Sequence, residues 1–570
     1  MSRLPVFLYL FIVMRILFDI RDPAFLTPSH PVPAGQPHTV CLKIPAECRA
    51  EKAALVSNLF RCELTRTGSD DGYDLFTGSF SIAAPGLYFF RFDVTDQNGS
   101  YELFREGRGT NIGVGEKWQL TALPASYAVP EEFRGAVYYQ IFPDRFRKAG
   151  ECDLTDKLGP YTVQEFSSFR PKTKNATDFA GGNFAGIIEK LDYIAALGTK
   201  VIYLNPVFLS WSNHRYDTGD YSRIDPMLGT EDDFVRLCRE AHARGMKIIL
   251  DGVFSHTGSH SIYFDADDHF GGGAVSLGPA SEYFKWYKFD HFPDKYDCWW
   301  GVDVLPCVIE TDPGYLAYIT GPGGIVEKWL RLGADGYRLD VADELPDSFI
   351  AALRERVKAV KPQAVVIGEV WEDASNKISY ETRRAYFSGG ELDGVINYPF
   401  RKAILDFCAG RDDGTALRET VESLAEHYPP AALDATMAVL GTHDTERIGT
   451  MLPDPVARAC AVFLQYTLPG SPVLYYGDEA GLCGGKDPMN RLPYPWGHED
   501  RTLMKLYTDM GALKNRFAAL RTGSVRFVHA RGGVVRFVRR TAGEAVLCTV
   551  DRTSGEYSAV PVGEGDRYEI

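Results

Sequence analysis

Three carboxylates and their immediate neighbours carry the chemistry this sequence can do. Asp340 ends Gly336-Tyr337-Arg338-Leu339-Asp340, Glu369 follows Val366-Ile367-Gly368, and Asp444 ends Gly441-Thr442-His443-Asp444. Side chains alternate along a strand, so Arg338 and Asp340 face the same way. A neighbouring guanidinium favours the ionised carboxylate, which is the form a nucleophile needs. Glu369 follows an apolar strand and would share its site with other carboxylates. Both effects raise its pKa, as a general acid near neutral pH requires. One attacking carboxylate and one protonating carboxyl, held only ~5–5.5 Å apart, are what retaining glycoside hydrolysis uses. Asp444 could then bind sugar hydroxyls and favour the oxocarbenium-like transition state. A fourth polar cluster, Asp251 to His256, follows Ile248-Ile249-Leu250.

Singly these signals are weak. A lone acid at a strand end is ordinarily solvated or structurally paired, and His256 or His443 alone would read as a satisfied packing histidine. Order and position raise their value, because each cluster falls at the end of a separate predicted strand.

The elements that must position them alternate along the chain. Ala136 to Ile141 is a short apolar strand, and Phe184, Ile187, Ile188, Leu191, Ile194 and Leu197 follow helical spacing up to Gly198. Val201 to Leu204, Lys247 to Asp251, Gly336 to Asp340, Ala364 to Glu369, Gly394 to Asn397, Thr436 to Leu440 and Val473 to Tyr476 are the following strands, with amphipathic helices between them. Eight repeats predict an α/β fold, a closed parallel (β/α)8 barrel over residues 126–515, whose reactive groups sit at the carboxyl ends of strands. A long irregular stretch after the third strand, 255–313, predicts an inserted subdomain. Ahead of the barrel, residues 14–125 read as a β-sandwich. There Gln97-Asn98-Gly99-Ser100 between two strand-like runs is a strong hairpin signal. Residues 516–570 predict a small C-terminal β domain.

Composition narrows the partners. The net charge of −15 with no Lys/Arg stripe repels phosphate backbones and excludes nucleic acid as a partner, leaving neutral ligands open. The eleven cysteines are odd in number and lack zinc-type spacing, so neither a disulfide scaffold nor a zinc site is expected and a reducing compartment is. The apolar run Leu4 to Val13 has no small-x-small cleavage site after it and is short for a membrane span. It is read as an upstream start, with translation beginning at Met14 and an uncleaved anchor as the competing reading; a cytoplasmic protein follows, with no membrane partner.

These motifs together resemble the α-amylase family (glycoside hydrolase family 13), and within it the neopullulanase, cyclomaltodextrinase and maltogenic amylase group. The resemblance spans nearly the whole chain from Met14. Asp251 to His256, Gly333 to Asp343, Glu369 within Gly-Glu-Val-Trp, and Leu440 to Arg447 match four motifs of the family. Tyr139 to Phe146, Ser212 to Thr218 and Tyr475 to Glu479 are similar to further family stretches. The resemblance implies Asp340 as nucleophile, Glu369 as acid/base and Asp444 as transition-state stabiliser. It also implies that Arg338, His256 and His443 contact the sugar at the cleavage point, that Tyr216 stacks beneath it, and that Asp251 braces Arg338. Asp487 and Arg491 would make outer sugar contacts. Trp299 could stack a glucose ring beyond the cleavage point, as could Trp300 and Trp371, with core packing as the plain alternative. The implied activity is double-displacement cleavage of α-1,4 bonds in cyclodextrins, maltooligosaccharides or pullulan, with transglycosylation. A homodimer through the N-terminal domain is implied by the same route.

Several departures bear on metal and specificity. Ser255 stands where much of the family has Asn, the loop Arg147 to Cys152 does not match the group's calcium loop, and Asn183 replaces an expected Asp. Calcium is therefore read as dispensable, with no cofactor required and no metal ligand assigned. Asp343 replaces an Asn beside Glu344, which touches specificity and leaves the reaction intact. Two other readings compete. A catalytically silent α-glucan-binding protein of the same fold would have lost its carboxylates, and this chain keeps all three. A sugar-phosphate isomerase would need a Gly-rich phosphate loop late in the barrel, for which Gly484-Gly485 is the one candidate.

Overall fold

The computed structural model describes residues 15–28, 31–171, 176–388 and 390–563, so the leader and its Met14 start lie outside the described residues. The chain divides into two compact units, one ending at Tyr127 and the other beginning at Ala128.

The first unit is built from antiparallel strands with alternating burial. In Pro37–Pro45 the side chains of His38, Val40, Leu42 and Ile44 are buried while Thr39, Cys41 and Lys43 between them are not. Arg61–Asp70 passes between two leaves: residues 61–64 pair with Lys52–Ser57, and residues 65–70 with Tyr73–Ser81. Between the leaves lies an aromatic core in which Phe18 meets Phe92 edge-on at 4.8 Å and Trp118 at 5.2 Å. The Asn-Gly signal marks the predicted hairpin, where Asp96 pairs with Gly99.

The second unit is an eight-stranded parallel barrel. Its strands are β1 Tyr138–Ile141, β2 Val201–Leu204, β3 Lys247–Gly252, β4 Gly336–Leu339, β5 Val365–Gly368, β6 Gly394–Val395, β7 Met437–Val439 and β8 Ser471–Tyr475. They pair in the order β6-β5-β4-β3-β2-β1-β8-β7. Closure comes from one bridge, Ile396 to Met437, just beyond β6. Nearly every strand residue is buried because the barrel filling covers one face and helices the other. Val201, Tyr203, Ile249, Val365, Ile367, Val439 and Val473 belong to one interior cluster.

Helix boundaries follow local chemistry. Thr230 and Asp233 form a reciprocal capping box at Glu231–Ala243. The apolar series from Phe184 predicts one helix, but the structure breaks it at Lys190 into Phe184–Glu189 and Leu191–Ala196. Gly198, at φ +81°, ends the second. After β3 the chain runs through residues 253–312 in turns, single-turn helices and one hairpin, Phe289–His291 with Lys295–Tyr296, before helix Pro313–Thr320. Past helix Arg501–Arg516 and the short Ala518–Thr522, an antiparallel meander ends the described chain. Its strands are Ser524–Arg531, Val534–Arg540, Ala545–Asp551 and Glu556–Pro561.

Candidate active site

The site is assembled where β3, β4, β5 and β7 end. Leu339 and Gly368 are paired across β4 and β5, so the residues that follow them, Asp340 and Glu369, emerge side by side. Beneath them Arg338 is fully buried. Its Nη1–H groups reach Asp251 Oδ1 at 2.6 Å and Asp340 Oδ1 at 2.7 Å. Its Nη2 lies 2.8 Å from Glu369 Oε2 without the alignment of a hydrogen bond. One cation thus stands among three carboxyls. Glu369 also accepts the Val341 N–H at 2.9 Å and the Trp371 indole N–H at 3.2 Å.

Burial is the main force on these acids. It pushes Asp340 well above the ordinary carboxylate range, with Arg338 opposing and Glu369 adding to the rise. Burial also raises Glu369, again against Arg338 and with help from Asp444. With three carboxyls beside one guanidinium, the acids titrate as a group. The well-aligned bonds from Arg338 go to Asp251 and Asp340, so Glu369 has the weakest hold on it.

The other wall is a neutral hydrogen-bond chain. Tyr203 and Tyr216 donate their hydroxyl protons to Asp251 Oδ2 at 2.6 and 2.8 Å. Asn205 and His443 Nε2 contact the same Tyr216 hydroxyl, whose one proton is already given to Asp251. His443 must therefore donate from Nε2, and its Nδ1 accepts from Gln140 at 3.0 Å. Burial and Arg491 hold His443 far below the usual imidazole range, and burial lowers His256 to about 4, so both rings are neutral at pH 7. His443 Nε2 also lies 3.1 Å from Asp444 Oδ2. Asp444, the most open of the three acids, faces Arg491 at 3.5 Å, and Arg491 in turn reaches Asp487 at 3.3 Å.

These groups open into a cleft of about 990 Å³. Asp340, Glu369, Asp444, Tyr216, His256 and His443 all line it. So do Trp371, Trp299, Asp487 and Arg491, whereas Asp251 and Arg338 lie below as support. Trp371 is 45% exposed and stacks on Tyr398 at 3.7 Å. Trp299 is half-buried, and Trp300 is 79% exposed, its indole N–H held by Glu344 at 2.7 Å. Neither tryptophan of the pair is in the core.

Sequence reasoning overlooked Gln140, Asn205 and Tyr203, which fix Tyr216 and His443. Gln140 and Asn205 do not titrate, and only their strand-end positions hinted at them. The loop after β5 was overlooked too, although Tyr380 and Ile378 line the cleft.

The region of the unmatched calcium loop is differently occupied. Asp144 accepts the N–H groups of Ala180 and Gly181 and the Arg145 guanidinium at 2.6 Å. Asn183 caps its helix through Oδ1 and donates its amide to Ala149 O at 2.7 Å. A guanidinium and an amide donor do not fit a bound cation. Among the described residues no three His, Cys, Asp or Glu side chains group as metal ligands.

Known proteins with similar sequence and structure agree on kind. An amylopullulanase of Thermoanaerobacterium saccharolyticum is 33% identical, covering 92% of this chain but 46% of its own length. The chain spans less than half the length of the three amylopullulanases it matches. A cyclomaltodextrinase of Geobacillus thermopakistaniensis is 33% identical over 76% of this chain and 72% of its own. Among solved structures, the type III pullulan hydrolase from Thermococcus kodakarensis superposes with a TM-score of 0.68 at 27% identity, covering 94% of each chain. The family model described as alpha amylase, catalytic domain, matches residues 140–300 and 318–517, more than half of the sequence, and on that match the chain belongs to the α-amylase family.

Proposed function

We propose that the protein is a retaining α-glucan hydrolase acting on α-1,4 bonds of cyclodextrins, maltooligosaccharides or pullulan, with transfer to sugar acceptors as a side reaction. The observation that carries this is the pairing of Asp340 and Glu369 on adjacent strands over one guanidinium. Neighbouring strands are ~4.8 Å apart. That suits the ~5–5.5 Å carboxyl separation of retaining sites and not the ~6.5–9.5 Å of inverting ones.

In the first step Asp340 attacks the anomeric carbon while Glu369 gives its proton to the departing glycosidic oxygen. In the second, Glu369 takes a proton from water, which displaces Asp340 from the sugar. Arg338 favours the ionised form of Asp340 against its burial, and Asp444 with neutral His443 and His256 holds the sugar hydroxyls where positive charge develops. Tyr216 lies beneath the ring. Neither step calls for a cofactor. The names of the relatives, cyclomaltodextrinase and amylopullulanase, support the substrate class.

The same reading takes the protein as cytoplasmic and as a homodimer through its N-terminal unit. All eleven cysteines are free thiols, which suits a reducing compartment. Among the described residues no helix is long and apolar enough to cross a membrane.

The test compares product release from γ-cyclodextrin, pullulan and soluble starch by the wild type and Asp340→Asn. The variant is expected to lose roughly four orders of magnitude or more in kcat while remaining folded. A folded wild type that releases nothing from any of the three would contradict the proposal.

A further inference from the structure

A second cavity, of about 850 Å³, opens beside the cleft. The two share a wall. The segment 487–492 turns Asp487 and Arg491 toward the cleft and Met489 and Leu492 toward the second cavity. Across from that wall stand Arg147 and Lys148, from the loop after β1 that matched no calcium loop, and the turn Phe166–Ser168 followed by Arg170.

The lining has the chemistry of a sugar site. Met489 is 46% exposed, and Phe166 is half-buried and stacks on no other ring among the described residues. Trp496 also lines the cavity, but its faces are taken: Tyr494 lies 3.9 Å from it and the Lys190 ammonium 4.0 Å away. Phe166 is therefore the ring that offers a free face to the C–H side of a pyranose. Around it are donors. Arg170, which is exposed, gives one N–H to Phe169 O, and among the described residues neither Arg170 nor Lys148 forms an ion pair. An apolar face ringed by a few convergent donors fits an uncharged, hydroxyl-rich ligand.

We propose that this cavity is a distal subsite for the far end of a long α-glucan whose scissile bond lies between Asp340 and Glu369. The occupant follows from continuity: a chain held by Asp487 and Arg491 in the cleft needs only to pass the shared wall to reach Phe166. The inference rests on the α-glucan reading above and adds a dependence on chain length that the cleft alone does not require.

The experiment uses the full-length Asp340→Asn variant, which binds sugar without consuming it, and titrates maltotriose and maltoheptaose by calorimetry. Maltoheptaose is expected to bind about tenfold more tightly, the scale of one lost ring contact converted to affinity. Adding Phe166→Ala, or separately Arg170→Ala, should reduce that advantage and leave maltotriose unchanged. Equal affinities for the two sugars, or an advantage that survives both substitutions, would overturn the proposal. Binding of inorganic phosphate abolished by Arg170→Ala, in place of any length effect, would overturn it in favour of an anion pocket. Wild-type hydrolysis of γ-cyclodextrin on the same preparation reports separately on the hydrolase reading, so the two can fail independently.

Discussion

The two ends of the barrel both bury charge, and they treat it in opposite ways. At the strand C-termini, Arg338 stands among Asp251, Asp340 and Glu369, and its Nε and Nη2 find no aligned acceptor. At the opposite end, Lys514 and Arg539 are equally buried, yet they spend their donors on backbone. Lys514 reaches Gly470 O at 2.9 Å, and Arg539 reaches Thr467 O at 2.6 Å and Gly523 O at 2.8 Å. Asp434 nearby is paired with Arg134 at 2.8 Å. The lower cluster has an excess of basic groups fixed by carbonyls that cannot move. The upper one has an excess of acids, with lone pairs left facing an open cleft. Unspent polar capacity marks the end that does chemistry; spent capacity marks the end that holds the fold.

That contrast can be broken at its centre. Arg338→Met should abolish hydrolysis and also cost about 3–5 kcal/mol of stability, because it strands three acids without their cation. Chemical unfolding and product release on one preparation measure both. A variant that stayed fully active would remove Arg338 from the account.

A smaller effect separates the two acids. Activity needs Asp340 ionised and Glu369 protonated, so the rate should rise with pH as Asp340 loses its proton and fall as Glu369 loses its own. Burial raises both, which places the acid limb above the ordinary range of about 3.9–4.3. Glu369→Gln should lower kcat/KM on maltooligosaccharides by roughly 10²–10⁴-fold. It should spare formation of the glycosyl-enzyme from α-maltosyl fluoride, whose leaving group needs little protonation, and erase the alkaline limb for that step. An alkaline limb that persists would assign it to another group.

The smallest effect is at the opposite end, and it should spare catalysis. Burial, reinforced by Arg539, holds the Lys514 amine well below the usual lysine range. The unfolded chain therefore binds more protons, and stability should climb with pH from the folded value toward about 10.4. Lys514→Met should flatten that climb in unfolding titrations at about pH 7 and about pH 9 while kcat stays unchanged. An unaltered slope would show that Lys514 does not govern it.

What the sequence disclosed follows the same division. Asp340, Glu369 and Asp444 were legible because acids rarely end apolar strands, and three did so in series; alternation put Arg338 on the side of Asp340. Gln140, Asn205 and Tyr203 were not, since what they do depends on β1, β2 and β3 lying side by side. The break at Lys190 left no mark, as the apolar spacing runs on and the one glycine in the series, Gly186, lies inside the first helix and not at the break. The last strand of the C-terminal meander, Glu556–Pro561, carries little sequence signal because only alternate residues are even partly covered. The shared wall at 487–492 could not be read at all, being made by contacts among segments far apart in sequence.

The central claim is that Asp340 forms the covalent bond, and the most direct measurement is mass spectrometry of the trapped intermediate. Glu369→Gln incubated with α-maltosyl fluoride and digested should yield a maltosylated peptide modified at Asp340. Turnover with an adduct on another residue, or with no adduct under conditions where the second step is blocked, would contradict the account.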